Sequence, residues 1–181
     1  MSDEWILHSK RSILDCGRFL RVEAHDLELP AGIRIPDWPF VITPDYVNVV
    51  AITPDMKFLC FRQTKYAIDG ESLSIVGGYI DEGETPVDAA KREVLEETGY
   101  TADAWESLGS YVVDANRGCG NAHLFLARNA VKVADAVSDD LEAQEFVLLT
   151  RSEIETALDS ADFKVLAWSA IMALALRAIS D

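Results

Sequence analysis

"GGYIDEGETPVDAAKREVLEETGY", residues Gly77 to Tyr100, is the stretch whose reading decides the fold. Its second half has the marks of a helix. Thr85 suits an N-cap, Pro86 the first helical position and Gly99 the residue that ends it. At about 100° per residue, Glu97 falls about 40° from Glu93 and Glu96 about 60° to the other side. Val87, Ala90 and Val94 fall between about 60° and 120°, so the acidic stripe runs beside the apolar one rather than opposite it. Two carboxylates about 6 Å apart at such a margin repel by roughly 3 kcal/mol at an effective dielectric near 20. The stripe is therefore either a solvated face with incidental clustering or a site for a hard cation. Glu93 and Glu97, at i and i+4, can converge on one point, and a divalent ion turns their repulsion into attraction.

The spacing around the helix decides between these. Five residues separate Gly78 from Glu84, and seven separate Glu84 from Arg92-Glu93-Val94-Leu95-Glu96-Glu97-Thr98-Gly99-Tyr100. This resembles the Nudix box: Gly, five residues, Glu, seven residues, Arg-Glu, an aliphatic, any residue, Glu-Glu, any residue, Gly, an aliphatic. Seven fixed identities match. At about 7% frequency each, chance would give that at roughly one position in 10⁸. Tyr100 departs from the pattern's aliphatic, a change expected to touch packing at the helix exit.

Working outward, "YVNVVAIT" and "KFLCFRQ" flank Thr53-Pro54-Asp55-Met56, a type I turn sequence, and read as a hairpin. "SLSIV" (Ser72–Val76) reads as one further strand, and "ESLGSYVVD", "AHLFLA" and "EFVLL" as later ones. Ser152-Glu153-Ile154-Glu155 has the form of a capping box, and Asp162 is a candidate cap for a last helix to about Ile179. Before this core, Trp5–Leu14 and Phe19–Leu29 read as a strand pair turning at Cys16-Gly17. Pro30, Pro36, Pro39 and Pro44 mark an extended connector. The expected division is 1–45, an N-terminal strand extension with its connector, and 46–181, a domain including the C-terminal helices. Strands, mixed elements and then helices make the fold class α+β, a mixed sheet covered by helices.

The chain has 181 residues, 49% hydrophobic and 26% charged, with a formal net charge of −15. No run of Lys/Arg is longer than a pair such as Lys10-Arg11, so a nucleic-acid polymer is not the expected partner. Val165–Leu176 is too short an apolar run to span a bilayer, and the acidic N-terminus is unlike a secretory signal. The run suits a core helix or an interface helix equally. Cys16, Cys60 and Cys119 form no CxxC or Cys/His cluster, and the expected setting is the cytoplasm.

The Nudix resemblance implies an α/β/α sandwich with the N-terminal strands and the apolar C-terminal helix added. It implies Mg²⁺-dependent (or Mn²⁺-dependent) hydrolysis of a nucleoside diphosphate linked to another group. By motif position, Glu93 and Glu97 would be the principal metal ligands. Glu96 would be a ligand, a hydrogen-bond partner of the ligands or the base, and the carbonyl of Gly77 would complete the site. Arg92 and Glu84 would be a structural ion pair, with Gly78 and Gly99 as the structural glycines of the box. A base outside the box is expected in "DAVSDDLEAQEF", first Glu142, then Asp140, with Asp139 and Glu145 also present. Arg117 could meet a phosphate, and Asn116, Asn121 or His123 a sugar. "FRQTKY", which contains Arg62, and the strand extension resemble the ADP-ribose/ADP-sugar pyrophosphatase branch. That likeness implies an NDP-sugar substrate, Arg62 in substrate binding, and a homodimer. Where that branch has Glu, Pro, Ala and Gly leading into the box, this sequence reads Ser74, Val76, Gly77 and Gly78, and departs at the first three. A Nudix-fold ligand sensor without turnover, and a dinucleotide or cap pyrophosphatase, are the alternative readings.

Overall fold

The computed structural model describes residues 4–137 and 144–179. Two compact units emerge, Met1–Asp45 with Tyr111–Asn121, and Tyr46–Ser110 with Ala122–Asp181.

In the first unit β1 (Ile6–Asp15), β2 (Arg21–Glu28) and β3 (Arg34–Ile42) form an antiparallel ladder. β1 and β2 are the expected strand pair, and Gly17, at φ 72, sits in their turn. β3 corrects the reading of the proline-rich passage as a connector. A proline weakens a strand only where its missing N–H would face a paired neighbour. Among the described residues β3 pairs along its length with β2, and its other ladder partner is Gly118, opposite Val41. Asp37, at φ 58, accompanies a register shift that absorbs the extra residue as a bulge.

The second unit contains β4 (Tyr46–Ala51), β5 (Phe58–Thr64), β6 (Glu71–Ser74), β7 (Val76–Tyr79), α1 (Pro86–Thr98) and β8 (Tyr100–Thr101). β9 (Ala104–Asp114) and β10 (Gly118–Arg128) give residues to both units. β11 (Val131–Lys132), β12 (Gln144–Leu149), α2 (Arg151–Asp159) and α3 (Leu166–Ile179) complete it. β4 lies between β10, parallel, and β7, antiparallel. β5 lies between β12 and β6, both antiparallel.

The alternation of strand side chains builds two cores. Val47, Val49 and Ala51 of β4 and Leu59 and Phe61 of β5 pack with Ala89, Ala90 and Val94 of α1. Val50, Phe58 and Cys60 point the other way and pack with Ile154 and Ala157 of α2 and Ile171, Met172 and Ala175 of α3. This is an α/β/α sandwich, and α3 spends its apolar face on that second core. Burial pushes the Cys60 thiol up to about 12. Among the described residues no helix is long and apolar enough to cross a membrane.

Four local expectations shift. The Thr53–Met56 turn forms, with Met56 N–H donating to Thr53 O at 2.9 Å. Its strands separate after the single bridge Ile52–Phe58 and join different sheets. "SLSIV" is not one strand, because β6 and β7 change sheet at Ile75. The capping box of α2 is Thr150 with Glu153, two residues early, and Glu155 instead pairs with Arg151 at 2.8 Å. The last helix begins at Leu166, not after Asp162, whose carbonyl accepts from Leu73 N at 2.9 Å and Ser72 Oγ at 3.0 Å.

Gly99 closes α1 at φ 72, and a Cβ there would run into the Ala134 carbonyl. The left-handed backbone and the collision together make Gly99→Ala cost about 2 kcal/mol. Urea unfolding of the two proteins measures it.

Candidate active site

Local sequence sets α1 in place. Thr85 Oγ accepts from Asp88 N, Pro86 needs no donor partner in the first turn, and Gly99 N–H donates to Leu95 O at 2.8 Å. Ala89, Ala90, Val94 and Thr98 are buried. With that face against the sheet, Glu93 and Glu97 fall on its flank and Glu96 further out. The Glu93 side chain is only 12% exposed, whereas Glu96 is 50% exposed. Glu97 Oε2 is buried.

Arg92 organises these carboxylates. Nε donates to Glu84 Oε1 and Nη2 to Glu84 Oε2, each at 2.9 Å. Nη2 also donates to the Tyr79 carbonyl at 3.0 Å. Nη1 donates to Glu93 Oε1 at 2.6 Å and Glu96 Oε2 at 3.2 Å. All the N–H donors of the guanidinium are thereby used. The fork-to-fork pair with Glu84 ties the loop before α1 to the helix, and Asp81 N adds a bond to Glu84 Oε2 at 3.2 Å. Chiefly through the Arg92 hydrogen bonds, Glu84 ionises below the ordinary glutamate value. Glu93 goes the other way. Burial raises its pKa more than Arg92 lowers it, and the nearby Glu96 and Glu84 charges add to the rise. Burial therefore disfavours the charged form of Glu93 even with Arg92 beside it. The sequence reading paired Arg92 with Glu84 and missed its hold on Glu93 and Glu96. The i,i+4 spacing of Arg92 and Glu96 was the available signal.

β7 is the floor of the site. A Cβ on Gly78 would coincide with the Glu93 carboxyl group, so the missing side chain is what lets Glu93 lie on the strand. A Cβ on Gly77 would meet the Asn48 carboxamide. The donors here are carboxylate and carbonyl oxygens, the set that suits a hard divalent cation. Among the described residues no group of three or more His, Cys, Asp or Glu side chains is placed to hold a metal ion by itself. A site of this kind fits an ion that keeps waters and takes the remaining oxygens from a substrate phosphate.

The other candidates separate. Val137 N–H donates to Glu96 O at 2.8 Å, which starts the acidic segment at the C-terminal end of α1. Asp139, Asp140 and Glu142 lie outside the described residues. Glu145 pairs with Arg62 across β12 and β5, in phase with Val147 and Cys60 on the α2/α3 side. Arg62 shares that phase. It contacts Glu71 at 3.4 Å and lines a 260 Å³ pocket with Leu73, Leu149 and Thr156. The structure thus does not bring Arg62 or Glu145 to the glutamates of α1. Phe146, in the opposite phase, meets Phe61 at 5.7 Å and Tyr100 at 5.8 Å between centroids. Tyr100, the departure from the box, is half-buried against the α1 core through these rings.

In the first unit Asp114 Oδ1 accepts from Asn116 N at 2.8 Å and Arg117 N at 2.9 Å. Arg117 Nη1 lies 3.8 Å from Asp114 Oδ2, and the Asn116 carbonyl accepts from Trp38 Nε1 at 2.6 Å. Asn121 is held by Asp45, with its N–H at 2.8 Å from Oδ1, and His123 Nδ1 lies 2.8 Å from Ser110 Oγ.

The sequence model of the NUDIX domain matches residues 43–169. The methanol dehydrogenase activator of Bacillus methanolicus is 32% identical over 142 residues, 78% of this chain and 75% of that protein. The ADP-ribose pyrophosphatase of Bacillus subtilis (strain 168) is 28% identical over the same length and shares. The CMP-5'-(N-acetyl-N-hydroxy-3-aminopropyl)phosphonate hydrolase of Streptomyces rubellomurinus (strain ATCC 31215) is 30% identical over 141 residues, 78% of this chain and 67% of that one. A crystal structure of an ADP compounds hydrolase superposes with a TM-score of 0.80 at 20% identity, covering 98% of this chain and 95% of the other. At that identity it speaks for the fold.

The Glu84–Arg92 pair has an acid signature. Glu84 is depressed below 4.5 in the folded state. Its contribution is full above the unfolded value and is lost as pH falls through the folded one. Melting temperature should therefore fall less steeply between about pH 5 and 3 in Glu84→Gln than in the wild type.

Proposed function

That this chain belongs to the Nudix family of hydrolases is the premise from which we propose its reaction: divalent-cation-dependent cleavage of a nucleoside diphosphate joined to a second group. The coarse activity is that of a Nudix pyrophosphatase. The finer assignment is a nucleotide sugar, ADP-ribose first, giving a nucleoside monophosphate and a sugar phosphate. One observation carries the cation dependence. Glu93 is desolvated on the Gly78 backbone and flanked by Glu96 and Glu97, and its pKa stays raised even with Arg92 beside it. The activities of two relatives, an ADP-ribose pyrophosphatase and a CMP-phosphonate hydrolase, support a nucleotide carrying a second group.

Glu93, Glu97 and the Gly77 carbonyl would hold Mg²⁺ or Mn²⁺, with Glu96 beside them. When bound, such an ion neutralises phosphate oxygens, orients the diphosphate and makes a water more acidic. The chain's own residues do the rest. Arg92, locked by Glu84 and the Tyr79 carbonyl, fixes where Glu93 and Glu96 stand. In the reaction a water oxygen joins one phosphorus, the bridging P–O bond breaks, and the water's proton passes to a carboxylate base. That base is assigned to Glu96, Glu142 or Asp140, and single carboxamide variants decide between them. Arg117 and Asn116 are proposed for the substrate. Arg62 faces the α2/α3 side and is left out.

Trp5, Ile6, Leu7, Ile13 and Leu14 are all exposed on and beside β1. We read this strand as the surface for a second copy of the chain. A reducing compartment, the cytoplasm, suits its separated thiols.

Incubation with Mg²⁺ and a panel of ADP-ribose, ADP-glucose, GDP-mannose, NADH and dinucleoside polyphosphates should release a nucleoside monophosphate from a nucleotide sugar. EDTA should abolish the release. Glu97→Gln should lower kcat at least about a hundredfold with an unchanged circular dichroism spectrum. A near-normal rate would show that the cation is held elsewhere.

A further inference from the structure

β7 is pressed from both faces at its two glycines. On the α1 side the Glu93 carboxyl group fills the space of a Gly78 side chain. On the other side the Asn48 carboxamide, with the Val47 carbonyl next nearest, fills that of Gly77. Asn48 is opposite Gly77 in the β4–β7 ladder and in phase with Val50, which belongs to the α2/α3 core. It is 3% exposed. Its Nδ2 finds no hydrogen-bond partner among the described residues. Burying an unmatched amide donor costs stability, and an aliphatic residue would suit "YVNVVAIT" better. Asn48 therefore weakens the strand it sits in. What it offers in return is a flat, polar group with the thickness that a glycine backbone leaves open.

We propose that Asn48 is a positioning residue for the cation site, its carboxamide holding the Gly77–Gly78 backbone of β7 against the Glu93 carboxylate. This rests on the cation reading above. In that reading the Gly77 carbonyl and the Glu93 carboxylate act together, so their separation must be held within a narrow range. Glu93 bears on β7 from one side only. Without a stop on the opposite face, the strand can shift away from the helix, and the two oxygens part. Asn48 supplies that stop from β4, which β10 and β7 hold on its two edges.

The test compares wild type, Asn48→Leu and Asn48→Ala. Mn²⁺ affinity is measured by titration calorimetry and by the electron paramagnetic resonance of bound Mn²⁺, and melting temperature by circular dichroism. Asn48→Leu, near in volume and without the unmatched donor, should keep or raise the melting temperature while weakening Mn²⁺ binding tenfold or more. Asn48→Ala should weaken binding at least as much, and it decides the matter if the leucine variant does not fold. Affinities within twofold of wild type would overturn the inference and leave the cation reading standing. Weakened binding that only follows a matching fall in melting temperature would also overturn it. Wild-type protein that binds no Mn²⁺ would overturn both.

Discussion

Everything at the site depends on one guanidinium. Arg92 spends two donors on Glu84, one on the Tyr79 carbonyl and two on Glu93 and Glu96. The first two bonds join the loop before α1 to the helix, and the third joins the end of β7 to it. The last two hold like charges side by side on a flank that is partly out of water. Charge-assisted, planar hydrogen bonding is what makes an arginine suited to both tasks at once, and a lysine could meet neither geometry. The balance is deliberately incomplete in its effect: Glu84 ends below its ordinary pKa and Glu93 above it. Burial on that flank is what raises Glu93, against the pull of Arg92.

The second constraint is thickness. Helix and strand meet closely at Gly78 because nothing but backbone lies under Glu93, and the next glycine makes the same room on the other face for Asn48. Consecutive glycines in a strand lose packing and conformational entropy. Here the loss admits one polar side chain on each face. The alternation of β-strand side chains then sorts the remaining candidates. Leu59 and Phe61 look toward α1, whereas Cys60 and Arg62 look toward α2 and α3. A residue one position along a strand is a whole sheet thickness away from the chemistry.

Helix α1 was readable from its residues because each of its signals is local. Thr85, Pro86 and Gly99 act within a turn of where they stand, and the placement of Glu93, Glu96 and Glu97 follows from helix periodicity alone. The strands of the N-terminal pair were readable for a similar reason. The third strand was hidden, since Pro36 and Pro39 argue against pairing until it is known that β3 pairs on one side along most of its length. The capping box of α2 was misplaced by two residues because Thr150/Glu153 and Ser152/Glu155 satisfy the same pattern, and only the end of β12 selects the first.

By itself, then, the sequence determined the helix, its caps, the spacing of its carboxylates and the family to which that spacing belongs. These depend on contacts between residues near in the chain, whose geometry hardly varies. Only the tertiary structure decided that Arg92 reaches three carboxylates, that Arg62 and Glu145 face away from them, and that Asn48 stands behind Gly77. Those facts depend on which strands become neighbours and in what register. Register is settled by burying both faces of a sheet at once, a condition on the whole chain that no short stretch carries.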